Sequence, residues 1–262
     1  MDSVDWSLVL IGLGASAAAG LATGVGALPI LFIRRISEPL QDALLGFSAG
    51  VMLAASFFSL IIPGLEYAEA DLGTRSAASL VVVAAVLLGA SLLAAINRLV
   101  PHEHFVLGRS GPRARAVRRI WLFVIAITLH NFPEGLAVGV SFGSGDINSA
   151  TKLAVAIGLQ NMPEGLAVAT ALVALNYSRA RAVLIATATG LVEPIGGLLG
   201  VMAVTAFTPL LPWGLGFAAG AMIFVISNEI VPETHRRGHE DLATAGLMIG
   251  LALMMFLDAG LV

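Results

Sequence analysis

Residues 130–138 read H-N-F-P-E-G-L-A-V, and residues 160–168 read Q-N-M-P-E-G-L-A-V. Both segments lie inside long apolar stretches. The first begins with His130 and the second with Gln160, and in each the glutamate follows four residues later. Because residues four apart share one face of an α-helix, each segment predicts a polar cluster on one side of an otherwise apolar helix.

Two further features mark both segments as a site. Asn131 and Asn161 stand three residues before Glu134 and Glu164, so the amides share a helical face with the carboxylates. Each motif also contains a proline, whose ring removes one backbone hydrogen bond and displaces the carbonyl four residues back. At membrane depth a freed carbonyl is tolerated where it lines a cavity. The pair of motifs therefore predicts a polar, cation-binding cavity.

The composition is that of an integral membrane protein. Of the 262 residues, 58% are hydrophobic and 12% are charged, whereas soluble domains are about 25% charged. The chain contains no cysteine, which excludes disulfides, thiolate metal sites and a cysteine nucleophile. The first six residues include two aspartates and no basic residue. The apolar run behind them is too long for a cleaved signal peptide, so we expect a retained transmembrane helix.

Eight segments are long and apolar enough to span a bilayer, which takes about 20 residues. They lie at about 6–33, 40–62, 77–97, 120–142, 150–175, 181–207, 211–231 and 242–261. Turn-forming residues separate them: Pro63-Gly64 is expected to end the second helix, and G-S-G-D at 143–146 the fourth. The sequence therefore predicts an all-α integral membrane protein with a single transmembrane domain over residues 1–262.

Basic residues predict the orientation of the chain, because Lys and Arg concentrate in cytoplasmic loops. In an eight-span arrangement twelve of the fourteen Lys and Arg fall on one side, and only Arg75 and Lys152 fall on the other. This asymmetry predicts that both termini lie outside. It also makes residues 98–119, which are rich in arginine and contain His102 and His104, a cytoplasmic loop.

Three glutamates fall near the middle of predicted spans: Glu134, Glu164 and Glu193. One charge at a helix centre costs roughly 2.5–3.5 kcal/mol on insertion scales, so three would cost on the order of 8–10 kcal/mol. Protons, His130 or a bound cation must compensate. Protonated glutamates that only hydrogen-bond between helices are the structural alternative, but two of the three stand in a repeated motif with His, Asn and Gln. That arrangement favours a cation site.

The ligand types favour a divalent transition metal. One histidine nitrogen among carboxylate and amide oxygens suits Zn²⁺, Fe²⁺ or Mn²⁺, whereas Ca²⁺ and Mg²⁺ prefer shells of oxygen alone. With Glu193 as a third carboxylate, Glu134 and Glu164 could bridge two metals. The neutral Asn161 makes the second position the weaker one.

The paired motifs, with E-P-I-G-G at 193–197 and S-N-E-I-V-P-E-T-H at 227–235, resemble the ZIP family of divalent-metal transporters, in particular its compact bacterial members. The resemblance extends over all eight predicted helices. It implies import of zinc-type metals, a metal site between the fourth and fifth helices, and a helix bundle that moves against the rest by alternating access. The transport-site ligands that it implies are His130, Asn131, Glu134, Gln160, Asn161, Glu164 and Glu193.

The resemblance also implies secondary metal or pathway residues. Met52 matches a position where a thioether joins the site, and Glu229 is expected to receive the metal on release. Two departures from the family pattern bear on these roles. Asn161 replaces the aspartate of two-metal centres, and Asn228 replaces a histidine found before the glutamate in some relatives. The remaining candidates lie in cytoplasmic loops and at the outer end of the eighth helix: His102, His104, His235, His239 and Asp258.

The predicted function is transport of a divalent metal into the cytoplasm, with zinc favoured over iron, manganese or cadmium. The first alternative is an intramembrane zinc-dependent hydrolase, in which the metal activates water. Such an enzyme would be expected to contain H-E-x-x-H on one helix, and this string is absent from the chain. The second alternative, a metal-sensing or structural membrane protein without transport, leaves the mid-depth carboxylates unexplained.

The expected setting is the lipid bilayer of a bacterial cytoplasmic (inner) membrane. The metal is expected as a transported substrate rather than a prosthetic group. Neither an enzymatic activity nor a nucleic-acid partner is expected, and a homodimer is implied by the family resemblance alone.

Overall fold

The computed structural model describes residues 5–33, 36–99, 112–235 and 238–260. Within these ranges the chain forms long helical segments and no strand. The segments are α1 (Trp6–Leu31), α2 (Glu38–Leu72), α3 (Arg75–Leu99), α4 (Pro112–Gly143), α5 (Ile147–Ala174), α6 (Arg179–Ala206), α7 (Thr208–Thr234) and α8 (Glu240–Gly260). The fold is therefore all-helical.

Seven of the helices in the described ranges are long and apolar enough to cross a membrane. The remaining one, α5, is 28 residues long and contains the second of the two repeated motifs. Many large apolar side chains on the outer surfaces of the helices are exposed, among them Leu80, Leu184 and Phe256. Such surfaces suit a lipid solvent, and the chain is a multi-pass membrane protein.

The turn between α4 and α5 shows how local sequence ends one helix and starts the next. Gly145 has a φ of +83°, a conformation that glycine adopts at no steric cost. Asp146 then caps α5 by accepting hydrogen bonds from the Ser149 backbone N–H (3.1 Å) and the Ser149 hydroxyl (2.7 Å). These hydrogen bonds hold the pKa of Asp146 below its usual value. The predicted end of the fourth helix thus agrees with the structure.

The expectation that Pro63-Gly64 ends the second helix is wrong. The helix continues through Pro63 to Leu72, and α7 likewise continues through Pro232 to Thr234, beyond its expected end at 231. In both cases the proline follows a π-helical stretch, Ala55–Ile61 in α2 and Ile226–Ile230 in α7. A proline clashes with the carbonyl four residues back in an α-helix. In a π turn the hydrogen bonds join residues five apart, which relieves that clash.

A break in α6 sets the position of Glu193. The first half of α6 ends at Gly190, and the second half begins at Glu193 with Pro194 in its first turn. Because proline lacks an N–H, it is tolerated at the start of a helix and not in its interior. Glu193 therefore lies at a helix N-terminus, where the helix dipole favours a negative charge.

The helices form two groups by their contacts. The first group comprises α1, α4, α5 and α6, with close packing of α1 on α5 and α6, and of α4 on α6. The second group comprises α2, α3, α7 and α8, with close packing of α2 on α8 and of α3 on α7. Between the groups, α2 contacts α5 and α4 contacts α7. Both repeated motifs belong to the first group and face this boundary.

Candidate metal centre

A cluster of three side chains lies at the centre of the molecule. His130 and Glu134 come from α4 and Glu164 from α5, and one ligand atom of each lies within 4.8 Å of the others. The Nε2 atom of His130 is 3.1 Å from Oε2 of Glu164. Ligands bound at 2.0–2.2 Å to one ion lie at most roughly 4.4 Å apart. Small side-chain rotations would therefore bring all three groups onto one divalent cation.

The Gln160 amide donates a hydrogen bond to Oε1 of Glu134 at 2.5 Å, so both motifs meet at this carboxylate. Glu134 and Gln160 are fully buried, and Oε2 of Glu134 and Oε1 of Gln160 have no hydrogen-bond partner among the described residues. Leaving a buried polar atom unpaired costs about 1–3 kcal/mol. One of these oxygens belongs to the three-residue cluster and the other to the neighbouring Gln160. Both are suited to bind a cation as ligands.

Asn161 serves as a hydrogen-bond donor rather than as a charged ligand. Its Nδ2 atom donates to the Ala19 carbonyl at 2.9 Å and to Oε1 of Glu193 at 2.7 Å. Since a carbonyl only accepts, the amide nitrogen must face Ala19. The amide thereby connects α1, α5 and α6 and supports the Glu193 carboxylate. An aspartate could not donate either bond, so Asn161 takes part here in a hydrogen-bond network that an aspartate could not form.

Asn131 is also fully buried, and neither its amide nitrogen nor its amide oxygen has a hydrogen-bond partner among the described residues. It lies one helical turn from Glu134 on the same face of α4. The seven ligands expected from the sequence are therefore all buried in the first group. Direct contacts join six of them in pairs: His130 with Glu164, Glu134 with Gln160, and Asn161 with Glu193.

Ser48 is a site residue that the sequence did not reveal. Its hydroxyl donates a hydrogen bond of 2.6 Å to Oε1 of Glu164, so that both oxygens of this carboxylate are engaged. Ser48 lies in the stretch G-F-S-A-G of α2, which reads as a packing surface. Met52 follows one turn later on the same face and is fully buried. Through Ser48, the second group therefore contacts the cluster directly.

Glu229 approaches the cluster from α7. Its Oε2 atom is 3.7 Å from Nδ1 of His130, and its side chain is 24% exposed. Both residues line a cavity of about 30 Å³ between α3, α4 and α7, which also includes Asn97. The π-helical stretch of α7 contains Glu229. A partly exposed carboxylate thus adjoins the buried histidine.

The other secondary candidates lie away from the cluster. His235 contacts the Val231 carbonyl of its own helix at 2.8 Å, and His239 contacts Oδ2 of the buried Asp42 at 2.8 Å. Asp258 accepts a hydrogen bond of 3.0 Å from the Ser59 hydroxyl. None of these contacts involves a residue of the cluster. His102 and His104 lie outside the described residues.

The glycine of each P-E-G motif allows a neighbouring backbone to approach closely. A Cβ at Gly135 would collide with the backbone carbonyl of Glu193, and a Cβ at Gly165 would collide with that of Thr23. Because Gly135 follows Glu134 directly, this contact brings the Glu134 and Glu193 segments together. The motif glycines therefore set the spacing of the helices that hold the carboxylates.

A second cavity lies at the opposite end of the bundle from Glu229. It has a volume of about 370 Å³ and is lined by residues of α2, α4 and α7 and by the start of α5. Its polar lining includes Ser59, Glu66, Ser141, Asp146 and Ser149. Cavities thus lie on both sides of the buried cluster, the smaller one mostly apolar around Asn97, His130 and Glu229 and the larger one with several polar side chains.

A buried His/Glu/Glu cluster inside a bundle of membrane-length helices defines a membrane protein that handles divalent metal ions. The model of the ZIP zinc transporter family matches residues 102–258 of the chain. The chain is 54% identical over 245 residues to zinc transporter ZIPB of Bordetella bronchiseptica, covering 94% of this chain and 79% of that protein. It is 47% identical over 250 residues to zinc transporter GufA of Myxococcus xanthus, covering 95% of this chain and 98% of that protein.

More distant similarity extends to an animal protein, zinc transporter ZIP11 of Homo sapiens, at 34% identity over 320 aligned positions that cover 91% of this chain and 94% of that protein. The chain therefore belongs to the ZIP zinc transporter family. It is a transporter of divalent metal ions and not an enzyme, and the metal is its substrate rather than a prosthetic group. The intramembrane hydrolase alternative is not favoured.

Proposed function

We propose that the chain imports zinc into the cytoplasm by binding it at His130, Glu134, Gln160 and Glu164. The observation that carries the proposal is the convergence of three ligand atoms from α4 and α5 in a buried site. The names of the related proteins favour zinc, and the mixed nitrogen and oxygen ligand set also suits Cd²⁺, Fe²⁺ and Mn²⁺. Asn131, Asn161 and Glu193 neighbour the ion and orient its ligands.

The proposed topology has eight spans, with α5 as the fifth and with both termini outside. The distribution of arginine supports it, since residues 98–119 would then be cytoplasmic. In this orientation the cavity beside Asp146 opens outwards and the cavity beside Glu229 opens inwards. The membrane would be the bacterial inner membrane, as the bacterial relatives suggest, and a homodimer is compatible with the family.

The proposed route has three stages. A hydrated ion enters the outer cavity past Glu66 and Asp258 and loses water as it reaches the buried cluster. It leaves past Glu229, whose carboxylate adjoins His130 and is partly exposed. Polar contacts cross between the two helix groups at the cluster. Movement of one group against the other would therefore change the side of the membrane from which the cluster can be reached. Binding must be tight enough to dehydrate the ion and weak enough to release it.

Uptake into liposomes tests this function. Protein is reconstituted with a metal-sensitive dye inside the vesicles, and Zn²⁺, Cd²⁺, Fe²⁺ and Mn²⁺ are added outside. We expect saturable uptake that Glu134→Ala or Glu164→Ala lowers by at least roughly 100-fold, since each change removes a charged ligand. Glu240→Ala, a change of an exposed glutamate at the start of α8, is the matched control. Vesicles that stay dark while the purified protein binds zinc would instead favour a metal sensor.

A further inference from the structure

Lys152 is the only lysine in the chain and lies in the second turn of α5. Its ammonium donates a hydrogen bond to the backbone carbonyl of Asp258 on α8 at 3.2 Å. The contact joins the first group of helices to the second. The buried metal cluster is remote from it, because Lys152 precedes Glu164 by twelve residues, about 18 Å along a helix axis.

The acceptor lies in the last described turn of α8. Asp258 is two residues before Gly260, where the described part of this helix stops. A backbone carbonyl has two lone pairs, so it can accept a hydrogen bond from a lysine ammonium beside any bond within its own helix. Because Ser59 of α2 also holds the Asp258 carboxylate, the contact brings α2, α5 and α8 together.

The polar contacts that cross the boundary of the two groups include three between described residues. Ser48 with Glu164 joins α2 to α5, and His130 with Glu229 joins α4 to α7. Both include residues of the metal cluster, so an arriving ion would compete for them. The Lys152 contact includes no such residue. It lies at the end of the bundle that has the larger cavity.

Other charges near Lys152 are negative. Asp258 is its partner on α8, and Asp146 begins the same helix. Hydrogen bonds from Ser149 and, to a smaller extent, the charge of Lys152 lower the pKa of Asp146. Asp146 lines the larger cavity with Glu66. A single ammonium therefore stands among carboxylates at the proposed entrance for cations.

We propose that Lys152 is an outer latch, whose ammonium ties the outer end of α5 to α8 at Asp258 and must release it before the two helices separate. The proposal rests on the movement of the two helix groups given under the proposed function. A lysine suits the role because its compact charge on a flexible stem can leave one acceptor without distorting the helix. A divalent cation at the neighbouring carboxylates repels the ammonium and so favours release.

Cysteine labelling measures this release, since the natural chain has no cysteine. Ala156 lies one turn inward of Lys152 on the same helical face and is fully buried. Ala156→Cys therefore becomes reactive only when the outer ends of α5 and its neighbours part. A membrane-impermeant maleimide is added outside oriented vesicles. Its labelling rate is measured in three proteins that all contain Ala156→Cys: one keeps Lys152, one has Lys152→Met and one has Lys152→Arg.

We expect Lys152→Met to raise the labelling rate roughly fivefold, because it removes a charge-assisted hydrogen bond at a partly exposed position. Lys152→Arg keeps a cationic donor and should label at close to the parent rate. Thr151→Ala is the matched control, since the Thr151 hydroxyl donates only to the Ile147 carbonyl of its own helix. Equal rates in Lys152→Met and its parent would overturn the latch.

The outcomes also separate the latch from the proposed movement. If Ala156→Cys is never labelled while the vesicles take up zinc, the outer ends of the helices do not part. The latch and the proposed movement of the helix groups then both fail, whereas zinc transport stands. Hydrogen–deuterium exchange of chains without the reporter gives a second readout. Faster exchange confined to residues 147–158 and 250–260 in Lys152→Met supports the latch. A uniform increase across the molecule would mean a general loss of stability and would contradict it.

Discussion

At the scale of single residues, the two motif glutamates have different surroundings. Glu164 contacts His130 with one oxygen and accepts a hydrogen bond from Ser48 with the other. Glu134 is held by Gln160 through one oxygen only, and its second oxygen has no hydrogen-bond partner among the described residues. Glu164 therefore connects the buried cluster to the second helix group, whereas Glu134 keeps one oxygen unpaired.

Asn161→Asp tests whether the hydrogen-bond network replaces a second metal. The aspartate would lose the bond to the Ala19 carbonyl and would face the Glu193 carboxylate in a buried site. We expect the metal-free variant to unfold more easily by roughly 1–3 kcal/mol and to bind two zinc ions instead of one. Calorimetric titration and elemental analysis of the purified protein measure the stoichiometry.

Asn161→Ala is the control for that variant, because it removes the same hydrogen bonds without adding a carboxylate. It should lose stability and keep a stoichiometry of one. A stoichiometry of one in Asn161→Asp would mean that a carboxylate at this position does not bind a second ion.

The sequence predicts most residues of the candidate site, because the motif repeats within apolar segments. His130, Glu134, Gln160 and Glu164 follow from helical spacing alone. Ser48 could not be found in that way, since a serine among glycines and alanines is typical of a packed helix surface. The donor role of Asn161 was equally hidden, because it depends on a backbone carbonyl of α1 that is distant in sequence.

At the scale of helices, backbone approach at the motif glycines positions the carboxylates. Gly135→Ala places a methyl group against the Glu193 backbone, which cannot move aside as a flexible side chain would. We expect a loss of roughly 1–3 kcal/mol in stability, as for other overpacked cores, and a fall in zinc uptake because Glu193 is displaced. Thermal unfolding in detergent and liposome uptake measure the two effects.

Gly14→Ala provides the matched control on α1, where an added methyl group would meet nothing within 4 Å. Alanine is the better helix former by roughly 1 kcal/mol, so this variant should be as stable as the natural protein or slightly more so. If Gly135→Ala behaved like Gly14→Ala, the close approach of α4 and α6 would not matter to the site.

The sequence predicts which segments are helical better than it predicts the residues at which the helices end. Hydrophobic length revealed the segments, and G-S-G-D at 143–146 marked the turn before α5. Pro63 misled because a proline normally ends or bends a helix. The π-helical stretch that accommodates it depends on packing between helices, which no local pattern encodes.

At the scale of the whole molecule, the two groups of helices meet along α4 and α7, where a disulfide can test whether they move. A Cβ at Gly214 would lie 3.6 Å from the Cβ of Val140, close to the roughly 3.5–4.5 Å found in disulfides. We expect oxidised Val140→Cys/Gly214→Cys to lose zinc uptake and to regain it on reduction, because the bond fixes one group against the other.

A matched pair within the first group separates movement between groups from general rigidity. A Cβ at Gly12 on α1 would lie 3.4 Å from that of Val201 on α6, so Gly12→Cys/Val201→Cys should form an equally good disulfide. If the groups move as units, this bond leaves uptake unchanged, because both helices travel together. Normal uptake by the oxidised Val140→Cys/Gly214→Cys protein would instead require a route that opens without sliding at α4 and α7. Loss of uptake in both pairs would mean that transport depends on deformation within the first group.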